Sequence, residues 1–328
     1  MGLQGFAISV RMGLAAPDRS PGFSTFSPMT DTIHLHIADV SISFTWDPPE
    51  GLEDFDPHYR SFCNGAGNGQ KSIPVHIHPQ LPESLDIGEL ERIYASGQTW
   101  SLFRRRVDHF LVLDPPEFKK DPLCVAWFRQ PIEEVEIFYN PRAFREWNGR
   151  RFIPNPWSYP LDRLLMSYFL AEREGTMMHA AGVDIDGKGY IFSGKSGNGK
   201  STLSRQFLSK KGPVVLNDER VAVRKINGEI KTFGTPWPGD AEIAVNRGLP
   251  LSGIFFIHHG THNRIREIDS GEAVKRLLPL ATIPWYDPEM MTKTLLFCED
   301  LISHVPSYDL HFTPDGVVDV MEEFASYA

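Results

Sequence analysis

The chain has 328 residues, 41% of them hydrophobic and 23% charged. This is the composition of a soluble globular protein with length for two ordinary domains. A formal net charge of −9 argues against nucleic acid as a partner, because that surface calls for a basic field. Three cysteines, Cys63, Cys124 and Cys298, lie far apart with no CxxC pair, and no histidine cluster falls at zinc spacing. They read as reduced thiols of a cytoplasmic protein. No run approaches the ~18 consecutive apolar residues of a membrane span, so no membrane partner is expected.

Arg11 interrupts the apolar run from Gly5 to Ala16, and residues 16–32 are rich in Pro, Ser, Gly and Thr. Residues 1–30 are therefore expected to be a disordered extension, or to precede a true start at Met29. Strand patterning begins at Thr32. Ile33, Leu35 and Ile37 alternate with polar residues, then Val40, Ile42 and Phe44, then Ile73, Val75 and Ile77. Further strands are expected at 100–105, 109–114, 124–128 and 135–139. Residues 31–150 thus form a β-rich N-terminal domain in which nothing looks catalytic. The glycines between Gly65 and Gly69 lack a Gly-Lys-Ser ending and read as a plain loop.

Residues 155–160 are a Pro/aromatic linker into a helix whose Leu161, Leu164, Leu165, Tyr168 and Phe169 form a core-packing stripe. From there to residue 280 strands and helices are expected to alternate. Residues 177–185 read as one strand, Asp186-Gly187 as a tight turn and Gly189 to Ser193 as a second strand. Gly194-Lys195-Ser196-Gly197-Asn198-Gly199-Lys200-Ser201-Thr202 follows and opens a helix. This fits G-x-x-x-x-G-K-[ST] between a strand and a helix. Glycines let backbone N–H groups close around phosphate oxygens, and the helix start adds its positive end. Lys200 can reach the β/γ-phosphates, and the Ser201 hydroxyl can ligate Mg²⁺. The next apolar run, Val214-Val215-Leu216, ends in Asn217-Asp218-Glu219. At the end of a parallel strand beside the phosphate-loop strand, Asp218 could hold Mg²⁺ or accept a proton from an attacking hydroxyl. No Leu-Ser-Gly-Gly-Gln-like signature and no Asn-Lys-x-Asp guanine reader occurs, so transporter ATPases and GTPases fit less well.

His179-Ala180-Ala181-Gly182-Val183-Asp184, the phosphate loop and Val215-Leu216-Asn217-Asp218-Glu219 together resemble the catalytic core of bacterial HPr kinase/phosphorylase. That superfamily also holds the ATP-dependent phosphoenolpyruvate carboxykinases. Residues 234–239, 251–257 and 305–313 look similar to HPr-kinase-related proteins, some of which phosphorylate precursor peptides. The resemblance implies that His179 lies near the transferred phosphate and that Asp218 and Glu219 match the family's two consecutive acids. Thr202 stands where those kinases have Glu, and only Arg247-Gly248-Leu249 echoes their longer signature. The family's members associate, which implies a homo-oligomer.

The expectation is an α/β protein. A P-loop kinase core of HPr kinase/phosphoenolpyruvate carboxykinase type would occupy residues 155–328, behind the N-terminal β-rich domain. ATP and Mg²⁺ are the expected cofactors, and Asp218, His179 and Lys200 the catalytic group. Gly194 to Thr202 would bind nucleotide, and Ser201, Asp218 and Glu219 the metal. A serine of a protein or peptide is the expected acceptor. A small hydroxylated metabolite, carboxykinase-like chemistry and a nucleotide-sensing module without transfer are the alternatives.

Overall fold

The computed structural model describes residues 32–47, 50–63, 71–97, 99–116, 121–194, 199–313 and 315–327. The extension 1–30 with Met29, the stretch 65–69, and Lys195, Ser196, Gly197 and Asn198 of the phosphate loop lie outside the described residues.

The N-terminal strands are β1 (Ile33–Ile37), β2 (Val40–Trp46), β3 (Gly51–Leu52), β4 (Ile73–His78), β5 (Glu91–Ala95) and β6 (Trp100–Arg105). They continue with β7 (Asp108–Leu113), β8 (Cys124–Arg129), β9 (Val135–Tyr139), β10 (Arg145–Trp147) and β11 (Arg150–Ile153). Eight of them make one sheet in the order β1-β2-β4-β9-β8-β7-β6-β5. After β4 the chain crosses to the far edge and returns as an antiparallel meander from β5 to β9. β9 then docks parallel to β4, which is itself parallel to β2. Period two decides the faces. On β4, Ile73, Val75 and Ile77 are buried while His76 and His78 are half-buried on the opposite face. The expected strands at 100–105, 124–128 and 135–139 coincide with β6, β8 and β9 to within a residue.

The buried face meets helix α1 (Leu161–Ala171). Leu161, Leu165, Met166, Tyr168, Phe169 and Leu170 join Phe44, Val75, Ile137 and Trp157 in one apolar cluster, which extends to Met177, Ala222 and Trp237. Only Arg163, at the half-buried positions, is a cation on α1; a helix packed on both sides needs apolar residues nearly all round.

The remaining elements are β12 (Gly175–Met178), β13 (Ala181–Ile185), β14 (Lys188–Ser193), α2 (Lys200–Leu208), β15 (Val214–Asn217), β16 (Val221–Ile226) and β17 (Glu229–Gly234). β18 (Gly248–His259), β19 (Arg264–Glu267), α3 (Ser270–Leu277), α4 (Pro288–His304), β20 (Ser307–Phe312) and α5 (Val317–Tyr327) complete the chain. These nine strands form a second mixed sheet, ordered β12-β16-β17-β18-β14-β13-β15 with β20 beside β18 and β19 beside β20. Alternate residues of β14 face different helices. Ile191 packs with α3 and α4, while Tyr190 and Phe192 pack with α2 and α5. Among the described residues no helix is long and apolar enough to cross a membrane.

Three expectations are corrected here. Residues 177–185 are two strands: β12 pairs with β16, β13 pairs with β14 and β15, and His179-Ala180 is the break between them. Residues 214–267 do not alternate with helices. Five strands follow one another, and Asn227-Gly228, with φ of 52° and 84°, makes the hairpin turn that joins β16 to β17. Lastly, β15 is not beside the phosphate-loop strand, because β13 lies between them, antiparallel to both. Two antiparallel steps restore direction, so β15 still runs with β14. β18 is parallel to β14, and β20 to β18. Ser193, Asn217, His259 and Phe312 therefore all end on one edge of the sheet.

Candidate phosphate and acceptor site

That edge gathers the polar residues that the helix-covered faces exclude. β14 ends at Ser193, whose Oγ donates to the His179 carbonyl at 2.8 Å. α2 begins after Gly199, which has φ of +92° and no side chain to cap the helix. A Cβ there would lie 2.8 Å from Phe312 Cζ and 3.4 Å from His259 Cε1. Gly199 thus lies tightly against the ends of β18 and β20, and as the N-cap residue it offers the helix's first N–H groups no side-chain acceptor. Lys200 Nζ donates to the Gly194 carbonyl at 3.2 Å. Burial lowers its pKa, with the Glu219 carboxylate opposing. Ser201 is exposed at the helix start, and Thr202 is half-buried.

The turn after β15 is built by Asn217. Its Nδ2 donates to the Thr235 carbonyl at 2.9 Å, and its Oδ1 accepts from the N–H groups of Glu219 and Arg220 at 2.7 Å. Asp218 is 4% exposed. One carboxylate oxygen accepts from Gly239 N–H and the other from Ala241 N–H, both at 2.9 Å. Position 239 requires glycine because a Cβ would sit 2.7 Å from Asp218 Oδ2. Glu219 turns toward the loop, where its Oε1 lies 3.0 Å from His179 Nδ1. Burial pushes Glu219 up, but the hydrogen bond and charge of His179 and the charges of Arg220 and Lys200 outweigh it. Its carboxyl is held below the ordinary range.

Two guanidiniums that sequence reasoning did not single out complete the site. Arg220 follows Glu219 directly; burial and the charge of Arg163 lower its pKa. Arg163 lies over the Tyr159 ring at 5.2 Å. The Nε of each is buried without a hydrogen-bond partner among the described residues, an arrangement that a bound anion would relieve. The adjacency of Arg220 to the acid pair was a signal; that of Arg163 needed the fold. Beneath them, Asp162 Oδ2 accepts from Tyr59 Oη at 2.8 Å and from Trp237 Nε1 at 2.7 Å. Trp237 is two residues from the Gly239 amide held by Asp218. Beside Gly199, a cleft of ≈ 520 Å³ opens among His259, Gly260, Thr261, His262, Arg264 and His311.

The structure thus brings Lys200, His179, Asp218 and Glu219 to one edge, beside Gly194, Gly199, Ser201 and Thr202. The comparisons with known proteins fall on the same family. An HPr kinase/phosphorylase of Clostridium novyi (strain NT) is 25% identical over 146 residues, 44% of each chain. One from Clostridium tetani (strain Massachusetts / E88) is 25% identical over 150 residues, again 44% of each. One from Polaromonas sp. (strain JS666 / ATCC BAA-500) is 28% identical over 154 residues, 46% of this chain and 44% of the relative. The similarity is to the HPr kinase/phosphorylases. It reaches less than half the length of these curated relatives, and no family model matches the chain. The Hpr(Ser) kinase/phosphatase from Coxiella burnetii is matched over 46% of this chain and 88% of that one. The identity is 14% and the TM-score 0.27, a score too low to bear on the fold. The HPr-kinase-like character therefore rests on sequence, and at the coarse level it is that of a kinase/phosphorylase family.

Proposed function

We propose that this chain is a cytoplasmic, ATP- and Mg²⁺-dependent kinase that transfers the γ-phosphate to a serine-type hydroxyl of a protein or peptide. Residues 155–328 would be its P-loop core, of HPr kinase/phosphoenolpyruvate carboxykinase type, and residues 31–150 a separate β-rich domain. The observation that carries the reading is the convergence, on one strand edge, of a helix start without a side-chain cap, Lys200, and the Asp218, Glu219 and His179 side chains.

The residues fit the chemistry. The Gly194–Thr202 segment would cradle the phosphates, and Lys200 would bind their β/γ oxygens. Ser201, Asp218 and Glu219 carry the hard oxygen donors that Mg²⁺ takes, and a bound Mg²⁺ would neutralise charge on the phosphates. Each oxygen of Asp218 accepts one backbone N–H and keeps a second lone pair. That leaves Asp218 able to orient the acceptor hydroxyl and take its proton while remaining fixed in place. His179 and Glu219 would hold one another beside the transferred group. Arg163 and Arg220 suit an acceptor that carries negative charge near its hydroxyl.

Incubating the purified chain with γ-labelled ATP, Mg²⁺ and cell lysate, then identifying the labelled species by mass spectrometry, tests the proposal. One protein or peptide labelled at serine, and no label with Lys200→Ala, is the expected result. Label on a small metabolite would replace this acceptor class. Tight nucleotide binding without acceptor-dependent transfer would replace the enzyme with a nucleotide-sensing module.

A further inference from the structure

On the outer face of the N-terminal sheet, away from the elements that form the phosphate edge, three adjacent parallel strands place a second constellation. β2, β4 and β9 run side by side, with Thr45 opposite His76 and His76 opposite Glu136 in the register. Because alternate residues share a face, His76 and His78 both point outward. Asp47, just past the end of β2, closes over them. His76 Nε2 lies 3.1 Å from one Asp47 oxygen, and His78 Nδ1 lies 3.1 Å from the other. The three potential donor atoms lie within 4.8 Å of one another.

The remaining ring nitrogens are also engaged. His76 Nδ1 is 2.7 Å from Thr45 Oγ1, and His78 Nε2 is in close contact with the Glu136 carboxylate. The His78 ring stacks on Phe138, with centroids 4.6 Å apart and planes 11° off parallel. Metal-binding histidines are held in this way: one nitrogen to the ion, the other fixed by a carboxylate, carbonyl or hydroxyl that sets ring orientation and raises basicity. A solvated cluster of histidines and acids would not need each outer nitrogen anchored.

We propose that Asp47, His76 and His78 bind a divalent first-row transition ion, with Thr45 and Glu136 orienting the two imidazoles. Two imidazoles and a carboxylate, without thiolate, suit zinc or its neighbours better than Mg²⁺ or Ca²⁺. Donor atoms about 2.0 Å from a tetrahedral ion lie about 3.3 Å apart. Each imidazole already lies 3.1 Å from an Asp47 oxygen, a different one for each. The three donors lie within 4.8 Å of one another, so an ion would draw them together. The side chains of His76, His78 and Asp47 are 34%, 26% and 46% exposed, which gives an ion direct entry. Three protein donors leave a coordination position for water or a partner's ligand. A bound ion would tie the segment just past β2 to the C-terminal half of β4, with Glu136 near the start of β9 as its outer support.

The full-length chain, stripped of metal with a chelator and free of nucleotide, should bind one zinc ion in calorimetry at micromolar or tighter affinity. Cobalt(II) should give the intense visible bands of a low-symmetry site. His78→Ala and Asp47→Asn should each abolish the saturable site. Glu136→Gln, which spares the donors, should weaken it by about 10- to 100-fold. Circular dichroism confirms that each variant is folded; because these residues lie on an open face, at least Asp47→Asn should be. No saturable zinc binding by the wild-type chain would overturn the assignment. So would a site whose affinity is the same in folded Asp47→Asn and His78→Ala proteins, because the ion would then sit on other histidines.

Discussion

The two sheets use polar residues in opposite ways. The N-terminal sheet has one broad face in the shared core and, on β4, displays His76 and His78 on the other, while Phe110, Val112 and Val125 of β7 and β8 join a smaller apolar cluster with Leu90. The second sheet has helices against both faces of β14 and β18, so their central residues, Tyr190 to Phe192 and Ile254 to Ile257, are apolar and buried. Its chemistry is pushed to the strand ends. A protein that needs a charge-bearing site inside a well-packed body can place it where strands stop, because there the backbone turns and the core does not have to accommodate the charge. An open face instead allows side chains from neighbouring strands to converge with no cost to the core.

The contrast can be broken or sharpened by experiment. Lys200→Ala should have the largest effect, because it removes the charge at the helix start while leaving both cores intact. Mg-nucleotide binding should fall below detection in calorimetry. Unchanged affinity in a folded variant would remove the phosphate site from that edge. Asp218→Asn should reduce single-turnover transfer by about 10²–10⁴, the usual scale for loss of a general base, with nucleotide affinity far less affected. It should also carry a structural cost. An amide cannot accept from both Gly239 and Ala241 N–H groups, and an orphaned donor costs about 1–3 kcal/mol in denaturant unfolding. Wild-type transfer rates would assign Asp218 to loop architecture alone.

Trp157→Ala probes the seam between the two sheets. The indole packs edge-on against Phe44 of β2 and stacks on Phe169 of α1. Removing it should cost about 3–5 kcal/mol and lower the midpoints of both sheets together. Separate transitions would show that the halves fold independently. The smallest effect expected is that of Glu219→Gln on the acid limb of stability. A carboxyl with a depressed native pKa contributes stability that is fully present above its unfolded value of about 4.3. That contribution is lost as pH falls through the lower native value. In the variant this share of the acid-limb slope, read from urea midpoints between pH 5 and pH 3, should disappear.

Much of this was legible in the sequence because it is local. Period-two alternation located β1, β2 and β4, strand runs between turn residues located β6, β7, β8 and β9, and β14 and α2 on either side of the glycine-rich segment follow from a contiguous motif. The break at His179-Ala180 was not legible, because the apolar residues continue across it: Met178, Ala180 and Ala181 are all buried, but Met178 ends β12 and Ala181 begins β13, strands with different partners. Strand order was not legible either, since nothing local places β13 between β14 and β15. Arg163, on α1, and Arg220, in the turn after β15, come within charge range of one another only through the fold. Asp47 reaches His76 and His78 only through the parallel pairing of β2 with β4, and a His-x-His pair on a strand was the one local trace of it.

Trp237 gives the phosphate edge a built-in optical gauge. Its indole is 3% exposed, its N–H ends on the Asp162 carboxylate, and the backbone two residues on is held by Asp218. In so dry a setting the emission of an indole follows the electric field around it, because little water is present to screen or average that field. A charge arriving at the edge, or a shift of the turn that Asp218 holds, should change the colour or intensity of that light. A comparison with Trp237→Phe isolates the signal from the chain's other tryptophans. Occupancy of the site could then be followed in real time without a label and before any acceptor is known.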